Sequence, residues 1–276
     1  VGENNEEYGP EGEGPAGEPG LFGRMNNWFL LIYAFACYLM ASSLVGLLYL
    51  NGNVVLSVIL PGIVGYILPM VIITRRYNLS FTGELRLLAP DAVTAALVIV
   101  IAAAAIYPVD AIAYLARKGR PVDTDYINIL LAFKPKGVWH YAAMALGLGV
   151  ITPIGEEVLF RGVVQSIFHR NMTPFGAILL GSLVFAASHG VLYVIPGAMA
   201  LGAVLGFVFY RTGVLTYAVM IHALFNLFSL YRLSRLSEET ILDYQWAAPG
   251  AGGLAASSVV LIAALVLLVR HTSSRA

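Results

Sequence analysis

The sequence predicts an all-α membrane protein, a polytopic bundle of about eight transmembrane helices. Of its 276 residues 59 % are hydrophobic and 12 % charged, well above the apolar share of a soluble domain. Several apolar runs approach the roughly 20 residues that a helix needs to cross a bilayer. An outer-membrane barrel would instead show alternating segments of about ten residues, and none is seen. Formal net charge is zero, so nothing points to a nucleic-acid partner. The single cysteine, Cys37, stands inside an apolar run. It excludes an internal disulfide and a cysteine-rich metal site, and reads as a buried structural thiol.

Residues 1–24 form an acidic, Gly/Pro-rich tail. Its first 20 residues lack lysine and arginine and contain too little apolar surface to offset ordering entropy, which predicts disorder. They also lack the basic start of a signal peptide. Residues 25–276 are expected to form one transmembrane domain. Span one covers about 28–50, with Trp28 at an interface, and Asn51-Gly52-Asn53 turns the chain. Span two, 54–74, contains Pro61 and Pro69 and stops at Arg75 and Arg76. Residues 79–90 read as interfacial. Span three, 92–114, is interrupted by Pro108 and Asp110, and a loop rich in both charges follows. Span four, 138–154, leads into two adjacent glutamates. Thr173-Pro174 reads as a cap and first-turn proline, opening span five to about residue 195. Spans six (196–211), seven (214–230) and eight (254–269) complete the bundle, with a polar linker from Arg232 to Asp243. Gly202 and Gly206, four apart, permit close helix approach.

Eight crossings put both termini on one side. With the termini inside, the inner side holds eight arginines and the outer side seven arginines and lysines, a small margin for cytoplasmic termini. The expected location is an integral, multi-pass protein of a cell or endoplasmic-reticulum membrane.

Ionisable groups at membrane depth mark functional sites. Three polar islands stand out: Glu156, Glu157 and Arg161; Phe185 to His189; and His222 with Asn226. At 3.6 residues per turn Glu157 and Arg161 share a helix face and can pair. Glu156 points about 100° away, which leaves it free for other work. His222 and Asn226 also share a face, and His189 is placed well inside span five. Each unsatisfied polar group would cost several kcal/mol in lipid, so these residues are expected to cluster around one hydrated cavity. A carboxylate with a neutral imidazole can activate water. A second imidazole and an amide can donate to an oxyanion. Those parts suit amide hydrolysis.

A zinc-dependent hydrolase is the rival chemistry, because one glutamate and two histidines supply three ligands; the sequence has no H-E-x-x-H pair. A non-catalytic scaffold or transporter is the third reading, though no internal repeat of the transporter kind is evident. Serine catalysis is weaker, because Ser188 and His189 diverge on a helix and no G-x-S-x-G elbow is present.

The ordered motifs E-E-x-x-x-R (Glu156, Glu157, Arg161), F-x-x-x-H (Phe185, His189) and H-x-x-x-N (His222, Asn226) resemble the CPBP family, also called ABI. That family includes the type II CAAX prenyl endopeptidases. The resemblance covers a catalytic core of about 138–230. It implies a glutamate-dependent intramembrane endopeptidase that requires no metal or other cofactor. Glu156 and His189 would activate water, and His222 and Asn226 would stabilise the oxyanion. Glu157, Arg161 and Phe185 would support them. The implied partners are the lipid bilayer and a membrane-tethered peptide or lipidated protein substrate.

Overall fold

The computed structural model describes residues 20–120, 123–243 and 248–274. Most of the tail expected to be disordered, residues 1–19, lies outside the described residues. The regular structure of those described is all helical, without strands. The chain runs through a short α1 (Leu21–Arg24), then α2 (Asn27–Leu50) and α3 (Val54–Arg76). A short α4 (Phe81–Glu84), the long α5 (Ala92–Arg117) and α6 (Thr124–Phe133) follow. The second half comprises α7 (Val138–Asn171), α8 (Pro174–Ala187), α9 (Ile195–Thr212), α10 (Leu215–Arg235), α11 (Glu238–Asp243) and α12 (Ala251–Ser273).

Among the described residues six helices are long and apolar enough to cross a membrane: α2, α3, α5, α7, α9 and α12. The expected count of eight is not reached, for two physical reasons. Helix α8 ends at Ala187 after 14 residues, about 21 Å, short of the roughly 30 Å hydrocarbon core. Helix α10 has 21 residues but includes His222, Asn226, Arg232 and Arg235, which dilute its apolar character.

Three further expectations change. Helix α5 is not interrupted: it passes through Pro108 and Asp110 as one helix of 26 residues. Span four does not stop before the glutamates, because α7 is a single run of 34 residues carrying the motif in its middle. The stretch 79–90 is partly core, with Leu79 and Leu85 buried. Leu21 is buried too, and its backbone N–H donates to Glu84 Oε2 at 2.8 Å. This contact ties α1 to α4.

Helix α7 lies at the centre and packs against α3, α8 and α10. Small residues let the backbones approach. A Cβ on Gly155 would stand 3.0 Å from the Gly62 carbonyl oxygen and 3.1 Å from Tyr66 Cβ, both on α3. Helix α12 packs along α5 and is otherwise largely exposed, with Ala264 and Leu268 its buried residues. Exposed apolar side chains such as Ile32, Leu47, Ile72 and Ile262 form an outer surface suited to lipid.

Candidate active site

Two π-helical segments, Gly147–Ile151 and Val158–Gln165, bracket the α-helical turn Thr152–Glu157 that carries the glutamates. Such wide turns recur at functional sites. Here one of them has a traceable cause. Pro153 has no N–H, so the carbonyl five residues back, that of Leu148, lacks its donor in the π register. The Thr152 N–H goes instead to the Gly147 carbonyl. The Leu148 oxygen is thereby left for Asn226 Nδ2, which donates to it at 2.9 Å. This contact joins α7 to α10 and fixes the amide while leaving its second N–H for another acceptor.

The two glutamates occupy different environments. Glu157 is fully buried. Its Oε1 accepts from Arg161 Nη1 at 2.9 Å and from His222 Nδ1 at 2.8 Å. Arg161, 1 % exposed, also donates from Nη2 to the Gly202 carbonyl at 3.2 Å and lies 4.3 Å over the Phe185 ring. Gly202 permits this: a Cβ there would meet Ser182 and Phe185 at 3.1–3.2 Å. Charges buried to this degree are costly unless paired. Arg161 and His222 both meet Glu157 at Oε1, while Oε2 has no hydrogen-bond partner among the described residues.

Glu156 is 19 % exposed, and its Oε2 stands 3.8 Å from His222 Nε2. Because Glu157 takes the Nδ1 proton of His222, the other ring nitrogen is the one presented beside Glu156. His189 is oriented by the same device. Its Nδ1 donates to the Phe185 carbonyl at 3.1 Å, leaving Nε2 available. The Phe185 ring meets both imidazoles edge to face, with centroids 5.0 Å from His189 and 5.7 Å from His222.

His189 does not lie within a span. Helix α8 ends two residues earlier, and Gly190 adopts φ +71°, a conformation that favours glycine. The His189 N–H bonds the Ala186 carbonyl, three residues back, and the side chains of Ser188 and His189 satisfy the Phe185 carbonyl instead. The histidine therefore sits on a helix-terminating turn.

Glu156, His189, His222 and Asn226 line one cavity of about 680 Å³, within the range of ligand sites. Three features of it escaped the sequence reading. Helix α6, assigned to a charged loop, contributes Tyr126, Leu130 and Phe133. Asp110 and Arg232 meet in an ion pair on the wall. Helix α10 continues beyond 230 to Arg235, which brings Arg232 to the cavity rather than to a linker. An acid inside span three and an arginine just past span seven were the available signal. Among the described residues no three His, Cys, Asp or Glu side chains are grouped to hold a metal ion.

The arrangement offers a partly exposed carboxylate, two imidazoles each held through Nδ1, and an amide N–H around one space. No curated protein and no solved structure matches the chain. Residues 138–228, which contain all seven residues singled out above, match the family model described as Type II CAAX prenyl endopeptidase Rce1-like, so this part of the chain is similar to a family of membrane CAAX proteases.

Proposed function

We propose that the protein is an intramembrane endopeptidase that hydrolyses a peptide bond in a membrane-associated substrate, with a prenylated CAAX sequence as the leading candidate. The observation that carries this reading is the contrast between the glutamates. Glu157 is consumed by Arg161 and His222, whereas Glu156 reaches the cavity beside His189, His222 and Asn226.

In this reading a water held by Glu156 and His189 Nε2 attacks the scissile carbonyl carbon as Glu156 takes its proton. The carbonyl π electrons move to oxygen, and the oxyanion is met by the second N–H of Asn226 and by protonated His222 Nε2. Collapse breaks the C–N bond. The proton on Glu156 passes to the leaving nitrogen, giving a carboxylic acid and an amine. Glu157 and Arg161 are positioning residues that hold the His222 ring. The family match supports the reaction class, and the position of Glu156 beside His189, His222 and Asn226, with Asp110 already paired to Arg232, supports Glu156 as the base. The resemblance and the bundle favour an integral membrane location, and the balance of arginine and lysine favours cytoplasmic termini.

The test is cleavage of a quenched fluorescent farnesylated CAAX peptide by the purified chain in detergent, with and without a zinc chelator. Glu156→Gln and His189→Ala should each lower kcat by about 10²-fold or more, with the wild type indifferent to chelator. Loss on chelation would move the reading to a zinc hydrolase. Full activity of Glu156→Gln would refute it.

A further inference from the structure

The cavity extends well beyond the four residues that would carry out hydrolysis. Its far wall contains Arg232, the one arginine or lysine among the described residues that line it, paired with Asp110 Oδ2. Arg232 is neither buried nor spent. Its side chain is 42 % exposed, that of Asp110 is 32 % exposed, and the guanidinium carbon lies 5.7 Å from the Phe228 ring centroid. Among the described residues a single donor, Nη1, is engaged in a hydrogen bond. A guanidinium has five N–H donors in a planar fork that fits a carboxylate, so a second carboxylate can be accepted without displacing the first.

The distance from the hydrolytic residues is informative. Arg232 follows His222 by ten residues and Asn226 by six on the same helix, about 15 Å and 9 Å along the axis. An extended peptide advances about 3.3 Å per residue. Three residues beyond a bond broken beside His222 and Asn226 therefore bring the chain end about 10 Å away, within reach of the arginine. Near Glu156 the same end would meet a like charge. The cavity has Glu156 at one end and the Asp110–Arg232 pair at the other, and only the second end offers guanidinium N–H groups to an anionic terminus.

We propose that Arg232, held by Asp110, binds the free α-carboxylate of the substrate, three residues beyond the scissile bond, and so sets where the chain is cut. This assignment rests on the endopeptidase reading above. It makes Arg232 a specificity-determining residue and the substrate a peptide with an unblocked C-terminus.

The experiment compares two farnesylated peptides identical except that one ends in a free acid and the other in an amide. The readout is the ratio of their kcat/KM values for the purified full chain, followed by release of the tripeptide. Taking the ratio within each variant cancels differences in folded fraction. Wild type should prefer the acid by at least tenfold. Arg232→Ala should bring the ratio to within about twofold of one, and Arg232→Lys, which keeps the charge without the fork, should retain an intermediate preference. A wild-type ratio near one overturns the assignment and leaves the endopeptidase reading standing; it would make the Asp110–Arg232 pair a structural latch. A tenfold preference that survives in Arg232→Ala overturns it as well. If wild type cleaves neither peptide, nor a set of unprenylated ones, the endopeptidase reading falls and takes the assignment with it.

Discussion

Replacing Arg161 by methionine should be the most damaging single change to the hydrolytic core, although Arg161 does not line the cavity. The substitution keeps much of the side-chain volume and removes the charge. Glu157, with no exposed surface, would retain His222 alone as a partner for its carboxylate. The Gly202 carbonyl would lose its side-chain donor and Phe185 its stacked guanidinium. Removing one member of a buried ion pair costs about 3–5 kcal/mol, because the remaining charge is left uncompensated. At about 2–4 °C per kcal/mol for a chain of this size, Tm should fall by about 6–20 °C. Thermal unfolding of the detergent-solubilised protein, followed by intrinsic fluorescence, measures it. The double variant Glu157→Gln/Arg161→Met is the control. It removes both charges while glutamine still offers an acceptor to His222 Nδ1, so it should recover at least half of the loss. A Tm for Arg161→Met within 2 °C of wild type (about 1 kcal/mol or less) would refute the claim that the pair bears stability. So would a double variant no more stable than the single one.

Three other outcomes follow from the geometry. Gly65→Ala should destabilise the fold by about 1–3 kcal/mol, because a Cβ there would stand 2.5 Å from Ala41 Cβ. Gly46→Ala, where the new methyl meets nothing within 4 Å, should raise stability by up to about 1 kcal/mol through helix propensity; Tm values of the pair check both signs. Lengthening or shortening a CAAX peptide by one residue after the scissile bond moves its carboxylate by about 3.3 Å, more than a hydrogen bond tolerates. Its kcat/KM should drop about tenfold in wild type and far less in Arg232→Ala, which a peptide series measured by chromatography would show.

Much of this architecture is legible in the residues. Helical spacing alone places Glu157 beside Arg161, and the contact is there at 2.9 Å. The need of polar groups for one another in lipid anticipates a shared cavity, and all four cavity-facing residues line one. What periodicity could not give are the ends of helices. In the sequence His189 reads as mid-span because Val191, Leu192 and Tyr193 continue the apolar run. The turn is fixed instead by Gly190 and by two side chains that compete for the Phe185 carbonyl. Arg232 and Asp110 were each read locally, one as linker and one as an interruption. Their pairing is a long-range fact that only the packing of α5 against α10 supplies.

The π-helical turns show the same limit at finer scale, and they bear on the chemistry. Counting 3.6 residues per turn from Val138 would assign every later side chain of α7 to the wrong face, since each wide turn shifts the register. Pro153 makes the shift useful rather than costly. In an α register its missing N–H would orphan the Gly149 carbonyl, which sits where α7 presses closely on Leu227. In the π register the orphan is the Leu148 carbonyl, and Asn226 lies one residue before Leu227 to claim it. A proline two residues before Gly155 thus selects which carbonyl α7 offers to α10, and through it how Asn226 is held beside Glu156. Pro153→Ala restores the N–H, so a competing donor becomes available to the Leu148 carbonyl. If this reasoning holds, that variant should keep its Tm within about 4 °C, the equivalent of 1–2 kcal/mol, yet lose kcat rather than raise KM. A kcat equal to wild type would show that the hold on Asn226 does not depend on the missing N–H.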